Sequence, residues 1–464
     1  MAKRGLTQAK LAEIAAYDER TIRNILKGLP VKDVTLYEVC ASLEIDLSKL
    51  SLSEPLGSSD HAAISQGATV GILPFVNMSG DARQDYFVDG IVEDIITELS
   101  RFSELVVIAR NSTFQYKGRP VDVRQVGRDL GAQYVVEGSV RRSKQRVRIT
   151  AQLIKASSGA HLWAERYDKE ISDVFSVQDE VARAIASILV AHVNKAEAAR
   201  ILTKPPEAWE AYDCYLRAAD LFSSFPGSSD VERIYEVRRL LARALALDET
   251  YARAHAMLSA THMATWTSAL DGDLFSPEAL ERAYRAAQRA VQLDPNLPQA
   301  RGQLGYVLLH RREHDAAVSE FERACALNPN FNDWRYASTM NFAGQPERAI
   351  EILTSQTLRD PFYPVSALVI LGLACFMAKR YSETLAPLCE AAIRAPDFRQ
   401  ARVCLAACYG RLGQLEDARI QVAHVRRLDP AYTISGSTKL IAPFKHIKDA
   451  EHWAQSLRAA GVPE

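Results

Sequence analysis

Apolar residues follow different rhythms in different parts of this chain. Between residues 69 and 203 the rhythm keeps switching. An unbroken apolar run, TVGILPFVN (69–77), predicts a buried strand, and a helical period through Phe87, Ile91, Ile95 and Leu99 predicts a helix over 85–102. LVVIA (105–109) reads as a strand, VDVRQVGRDLGA (121–132) as a helix, and YVVEGSVRR as a strand. A turn at Ser143-Lys144-Gln145 leads into strict alternation at Val147, Ile149, Ala151 and Leu153, a half-buried antiparallel strand. Trp163 and Tyr167 alternate in the same way, as core or edge positions, and a long helix follows from Asp173 to about Lys195. The order β-α-β-α-β-β-α implies a small mixed sheet with helices packed on it.

After paired prolines at 205 and 206 the rhythm becomes purely helical and repeats. Pro295, Pro329, Pro361, Pro396 and Pro430 each close a helical stretch, at intervals of 34, 32, 35 and 34 residues. Counting from Pro298, Leu304 and Gly305 fall where a tetratricopeptide (TPR) repeat packs a small residue between its two helices. Ala317, Phe321 and Ala324 form the apolar stripe of the second helix. Leu371-Gly372 repeats the motif, as do Leu405, Tyr409 and Ala418. Weaker repeats begin near 213 and 245, and residues 267–278 read as an insertion between two helices. The final stretch DAEHWAQSLRAAG has a polar face suited to capping the open end of a stack. The reading is therefore a solenoid of five to seven repeats over 207–464, with a groove for a protein or peptide partner.

Composition narrows the class without changing this picture. A net charge of −1, 48% apolar and 24% charged residues describe an ordinary globular protein. The longest uncharged run, residues 361–378, holds two prolines and keeps the repeat register, so it reads as a buried repeat helix and not a membrane span. No secretory signal is recognisable, and seven cysteines without a C-x-x-C pair suit reduced thiols, so a cytoplasmic location is expected.

The residues in front, GLTQAKLAEIAAYDERTIRNILKG (5–28), resemble a λ-repressor-like helix-turn-helix. Gln8, Leu11 and Ala12 match the family's second helix, Asp18 suits the N-cap of a recognition helix, and Ile22 and Ile25 would pack inward. The resemblance implies that Glu19, Arg20, Arg23 and Asn24 face base edges, with Thr7, Gln8 and Lys27 at phosphates. Seven basic against three acidic residues over 1–32 agree with that role. The family's first helix would precede Thr7, where only six residues stand, so the head (1–49) is expected to lack it. Residues 50–68, rich in Ser and Gly, read as a linker. From Val70 onward the wording, from ILPFVNMSGDARQDYFVDGIVEDI to HLWAERYD and the tail LRAAGVPE, resembles a TolB amino-terminal-like domain followed by TPR repeats. Such a half accompanies class III adenylate cyclase or winged-helix domains in bacterial signalling proteins. Residues 1–68 are too few for a cyclase domain.

The expected architecture is thus multidomain: a small all-α helix-turn-helix, an α/β mixed-sheet domain (69–203) and an α-helical TPR solenoid. The expected function is a non-enzymatic bacterial transcription regulator with DNA and a protein or peptide as partners, a homodimer to read two half-sites, and no membrane. The competing readings are a scaffold that does not bind DNA and an accessory to a separate class III cyclase. No catalytic, cofactor or metal residues are assigned. HRREH (310–314) fits a zinc pattern but falls in a turn, where a solvated turn is the simpler reading. Asp81, Asp85, Asp89, Glu93 and Asp94 read as helix-capping and dipole-favouring acids, and Cys404 and Cys408 as core.

Overall fold

The computed structural model describes residues 68–143, 145–189, 209–223, 231–267, 271–436 and 443–464. These fall into two compact units, one within Ala62–Thr339 and Ser355–Tyr363, the other within Met340–Thr354 and Pro364–Glu464. The expected head, most of the linker and the joint at 203–207 lie outside the described residues.

The first unit opens with a six-stranded mixed sheet. Strands β1 (Ala68–Ile72), β3 (Leu105–Val107) and β4 (Tyr134–Ser143) run parallel in the order β3-β1-β4. Strands β5 (Arg146–Lys155) and β6 (Ala160–Glu170) continue antiparallel from β4. The run expected as one strand over 69–77 is two. It breaks at Leu73-Pro74-Phe75, and β2 (Val76–Asn77) pairs again with β4. Proline has no N–H for the ladder, which favours the break. Phe75 then folds onto Gly138 of β4, where a Cβ would lie 2.9 Å from its ring.

Adjacent residues of a strand face opposite ways, and the sheet is covered accordingly. Val136 faces a core with α1 (Asp85–Leu99) and α3 (Val174–Leu189), which contributes Phe87, Ile91, Ile95, Leu99, Val177 and Ile185. Val135 faces the other side, where α2 (Val123–Leu130) adds Val126 and Leu130. Helix α2 starts at Asp122, whose carboxylate accepts from Arg124 N–H, and stops at left-handed Gly131.

Helices α4 (Trp209–Ser223) through α9 (His314–Leu327) pair off as three hairpins of the same unit: α4 with α5 (Val231–Leu247), α6 (Ala252–Thr267) with α7 (Pro277–Leu293), and α8 (Pro298–His310) with α9. Helices α10 (Trp334–Phe342) and α11 (Pro346–Arg359) have residues in both units. The second unit holds the hairpin α12 (Val365–Met377) and α13 (Tyr381–Arg394), then α14 (Arg399–Leu412) and α15 (Leu415–Leu428), and finally α16 (Ile447–Ala459). The long uncharged run is α12, a buried repeat helix. Among the described residues no helix is long and apolar enough to cross a membrane.

The small residues read from the repeat sit between paired helices. A Cβ on Gly305 would come within 2.8 Å of the Phe321 ring, and one on Gly372 within 2.4 Å of Leu388. Each of four hairpins also turns on one left-handed residue: Arg312, Gly344, Lys379 and Gly413. Two of these are not glycine and carry the strain of a Cβ in that conformation. Replacing exposed Lys379 by Gly should therefore raise stability by roughly 0.5–1 kcal/mol, read as a higher urea midpoint at unchanged slope. Gly372→Val should lower it by about 2 kcal/mol or more.

Candidate functional site

The residues expected to meet DNA, Thr7, Gln8, Glu19, Arg20, Arg23, Asn24 and Lys27, all lie outside the described residues. Among the described residues, polar chemistry concentrates where the α/β part meets the first hairpins, within one unit.

Asp94 lies on α1 and is 7% exposed, deep enough that its charge must be met by partners. It accepts from the Tyr212 hydroxyl of α4, and from Arg253 Nη1 of α6 at 2.6 Å. Gln178 of α3 donates to the same hydroxyl at 3.1 Å. Burial first, and then the Asp94 charge, hold the Tyr212 phenol well above its ordinary value, so it stays a donor. About two turns back on α1, Tyr86 donates to Asp213 of α4 at 2.6 Å. Arg142 of β4 and Arg217 of α4 pair with the two oxygens of that carboxylate at 3.1 and 3.0 Å. Arg142 also spreads over the Phe87 and Trp209 rings. Beside this cluster a cleft of about 680 Å³ is lined by Arg83, Tyr86, Arg142, Arg217, Asp220 and Glu236.

The acids expected to cap α1 thus divide. Asp81 caps the short turn before it, accepting from Arg83 N–H at 3.0 Å, and Asp85 accepts from Asn77. Asp89 instead binds Lys117 at 2.6 Å, Glu93 faces Arg110 at 3.5 Å, and Asp94 is the buried anchor just described. All three stand past the first turn of α1, beyond the reach of the helix N-terminus; Asp89 and Asp94 are buried, while Glu93 stays partly exposed.

Two loops between repeats hold the far edge of the sheet. Asn330, between α9 and α10, accepts from Val107 N–H at 3.2 Å and donates to the carbonyls of Ser100 and Leu105, both at 2.9 Å. It supplies β3 with the partners another strand would give. In the next loop, Ala109 N–H donates to Arg359 O at 2.7 Å and Ser112 Oγ donates to Asp360 at 2.6 Å. Pro329 and Pro361 are marked by their spacing, whereas Asn330 and Asp360 beside them carry no such signal. No period marks a residue whose role is set by a sheet over 200 positions away.

The first helices of the hairpins also carry an aromatic row. The His310 ring packs against Trp266 at 5.0 Å and Tyr306 at 4.8 Å, and Phe275 closes edge-on against Trp266 at 5.2 Å. Arg335 lies over Tyr306 and donates to Gln303 at 2.7 Å. HRREH does occupy a turn, with His310 ending α8 and His314 starting α9, but the turn is not simply solvated: His314 is buried. Among the described residues no group of three or more His, Cys, Asp or Glu could hold a metal. Cys404 and Cys408 are buried on α14, and burial pushes both thiols up to about 12.

Residues 66–184 match the family model of the HilA/YgeH-like transcriptional regulator, second domain. Over 249 residues, 54% of this chain, the sequence is 44% identical to Putative adenylate cyclase 3 of Rhizobium meliloti (strain 1021), of which the match spans 41%. Among solved structures, the TPR protein YrrB, described with an unusual peptide-binding site, covers 41% of this chain and 93% of its own at 16% identity, TM-score 0.30. PelC from Paraburkholderia phytofirmans covers 28% of this chain and 93% of its own at 20% identity, TM-score 0.21.

Asp94→Ala would leave Arg253 buried without its counter-charge, so it should cost about 3–5 kcal/mol in chemical unfolding. Pairing it with Arg253→Met should recover most of that loss. A second expectation concerns pH. Burial first, helped by nearby arginines, lowers His262 and His310 from 6.5 to about 4. Their contribution is whole above pH 6.5 and is lost as pH falls toward 4, because the unfolded chain then binds the extra protons. Unfolding midpoints should fall over that window by an amount equivalent to about 3 kcal/mol per histidine, and His310→Phe should flatten the slope.

Proposed function

We propose that this chain is a non-enzymatic transcription regulator. Residues 1–49 form a helix-turn-helix head, the TolB-like α/β domain forms the middle, and the TPR solenoid docks a protein or peptide. The observation that carries this reading is the match of residues 66–184 to the second domain of a transcriptional-regulator family. Supporting it is the way the α/β part is tied to the solenoid by Asp94, Asp213 and Asn330, which lets a partner held on one bear on the other. One head covers only a few base pairs, so the working form is a dimer on paired half-sites.

A second reading, an accessory of a class III adenylate cyclase, draws on the 44% identity to a protein of that name. DNA binding separates the two. Fluorescence anisotropy with the DNA upstream of its own coding region should give an affinity that falls linearly with salt on logarithmic axes. Arg20→Ala with Arg23→Ala should abolish it while circular dichroism and unfolding midpoint stay unchanged. A salt-independent or absent signal in the unaltered chain would remove the regulator reading and leave the accessory one.

A further inference from the structure

The C-terminal residues do not continue the stack. Elsewhere the first helix of a hairpin packs on both helices of the one before: α8 on α6 and α7, α14 on α12 and α13. A cap extending that pattern would rest on α14 and α15 together. Helix α16 instead packs chiefly against α14, and the segment leading into it runs back across earlier hairpins.

The contacts recur at one place in the repeat. Lys445 N–H donates to Phe342 O at 2.9 Å, and the Phe444 ring meets Phe342 edge-on at 5.1 Å. His446 sits so close to Gly344 that a Cβ there would lie 2.4 Å from its ring. His452 stacks on Phe376 at 5.1 Å, and Trp453 meets the same ring edge-on at 5.7 Å. At Gly410 a Cβ would lie 2.7 Å from Ser456 O and 2.8 Å from Ala460 N. Phe342, Phe376 and Gly410 are each 34 residues apart, so one segment covers the turn-proximal ends of three successive first helices.

The segment is seated by buried Phe444, Trp453, Ser456, Leu457, Ala460 and Val462, and Ile434 N–H donates to Pro463 O at 2.8 Å, while Ile447 on the same helix is 78% exposed. The strip beneath is aromatic where the segment brings aromatics and reduced to glycine where the helix backbone comes closest. Such complementarity specifies a ligand type: an amphipathic helix led by an aromatic residue, with an aromatic pair about two turns on and then a small residue beside Leu.

We infer that this strip is a helix-binding site of the solenoid, occupied in cis by residues 443–464, and that its partner is an amphipathic helix of the same apolar pattern, which must displace them. The inference deepens the docking role proposed above, and its test uses no DNA, so the two can fail separately. A tethered occupant acts at high effective concentration, and the affinity for any outside helix is reduced by the fraction of time the site is open.

The probe is a fluorescently labelled synthetic peptide of residues 443–464, titrated with the full-length chain. The unaltered chain should bind it weakly. Trp453→Ala or Phe444→Ala in the full-length chain, each weakening only the tethered copy, should tighten peptide binding at least tenfold. Gly410→Leu, which fills the receiving surface, should abolish peptide binding and make the C-terminal segment susceptible to limited proteolysis, with helical content retained by circular dichroism. Equal affinity for the unaltered chain and the Trp453 and Phe444 variants would overturn the proposal. So would no binding to either variant, which would make the segment a permanent part of the fold.

Discussion

A single buried carboxylate holds the first unit together. Asp94 belongs to a helix of the α/β part, yet its two strongest partners, Tyr212 and Arg253, come from the first helices of two successive hairpins. A charge so deep is tolerated only while both are present, so the sheet's helix layer and the hairpins must fold as one. The apolar core agrees: the residues under α1 run without a break into Tyr212, Val237, Leu241 and Tyr251 of the solenoid. Two parts that read as separate domains in sequence share a core and an ion pair.

Much of the fold was legible because it rests on periodicity. Phe87, Ile91, Ile95 and Leu99 are all buried, as are Val147, Ile149, Ala151 and Leu153, because a helix and a strand each turn one face inward at a fixed interval. Gly305 and Gly372 were found for the same reason. What escaped notice was set by partners far along the chain. Asp94 looked like one of several acids near a helix start, and only the placement of Arg253, 159 residues later, gives it its role. Asn330 looked like loop filler, although Asn is well suited to imitate a peptide group. The break at Pro74 was visible in principle, since proline cannot serve a central ladder, but an apolar run disguised it.

The functional picture has a similar division. The described residues supply anchors, a groove and a covered strip, while the residues matched to DNA reading stand outside them. The family match of residues 66–184 bears on the middle of the chain, and the relative at 44% identity shares 249 residues of it. Within the first unit the sheet and the hairpins beside it are tied by Asp94, Asp213 and Asn330.

Asn330 and Asp360 lie about one repeat apart; Asn330 grips the edge strand β3 and Asp360 the helical turn just after it. Stacks of repeats ordinarily lengthen or shorten by whole units, since each touches only its neighbours. Here a unit gained or lost between Trp209 and Asp360 would move both loops away from β3 and detach the edge they complete. This stretch is therefore fixed in copy number by the sheet edge it completes.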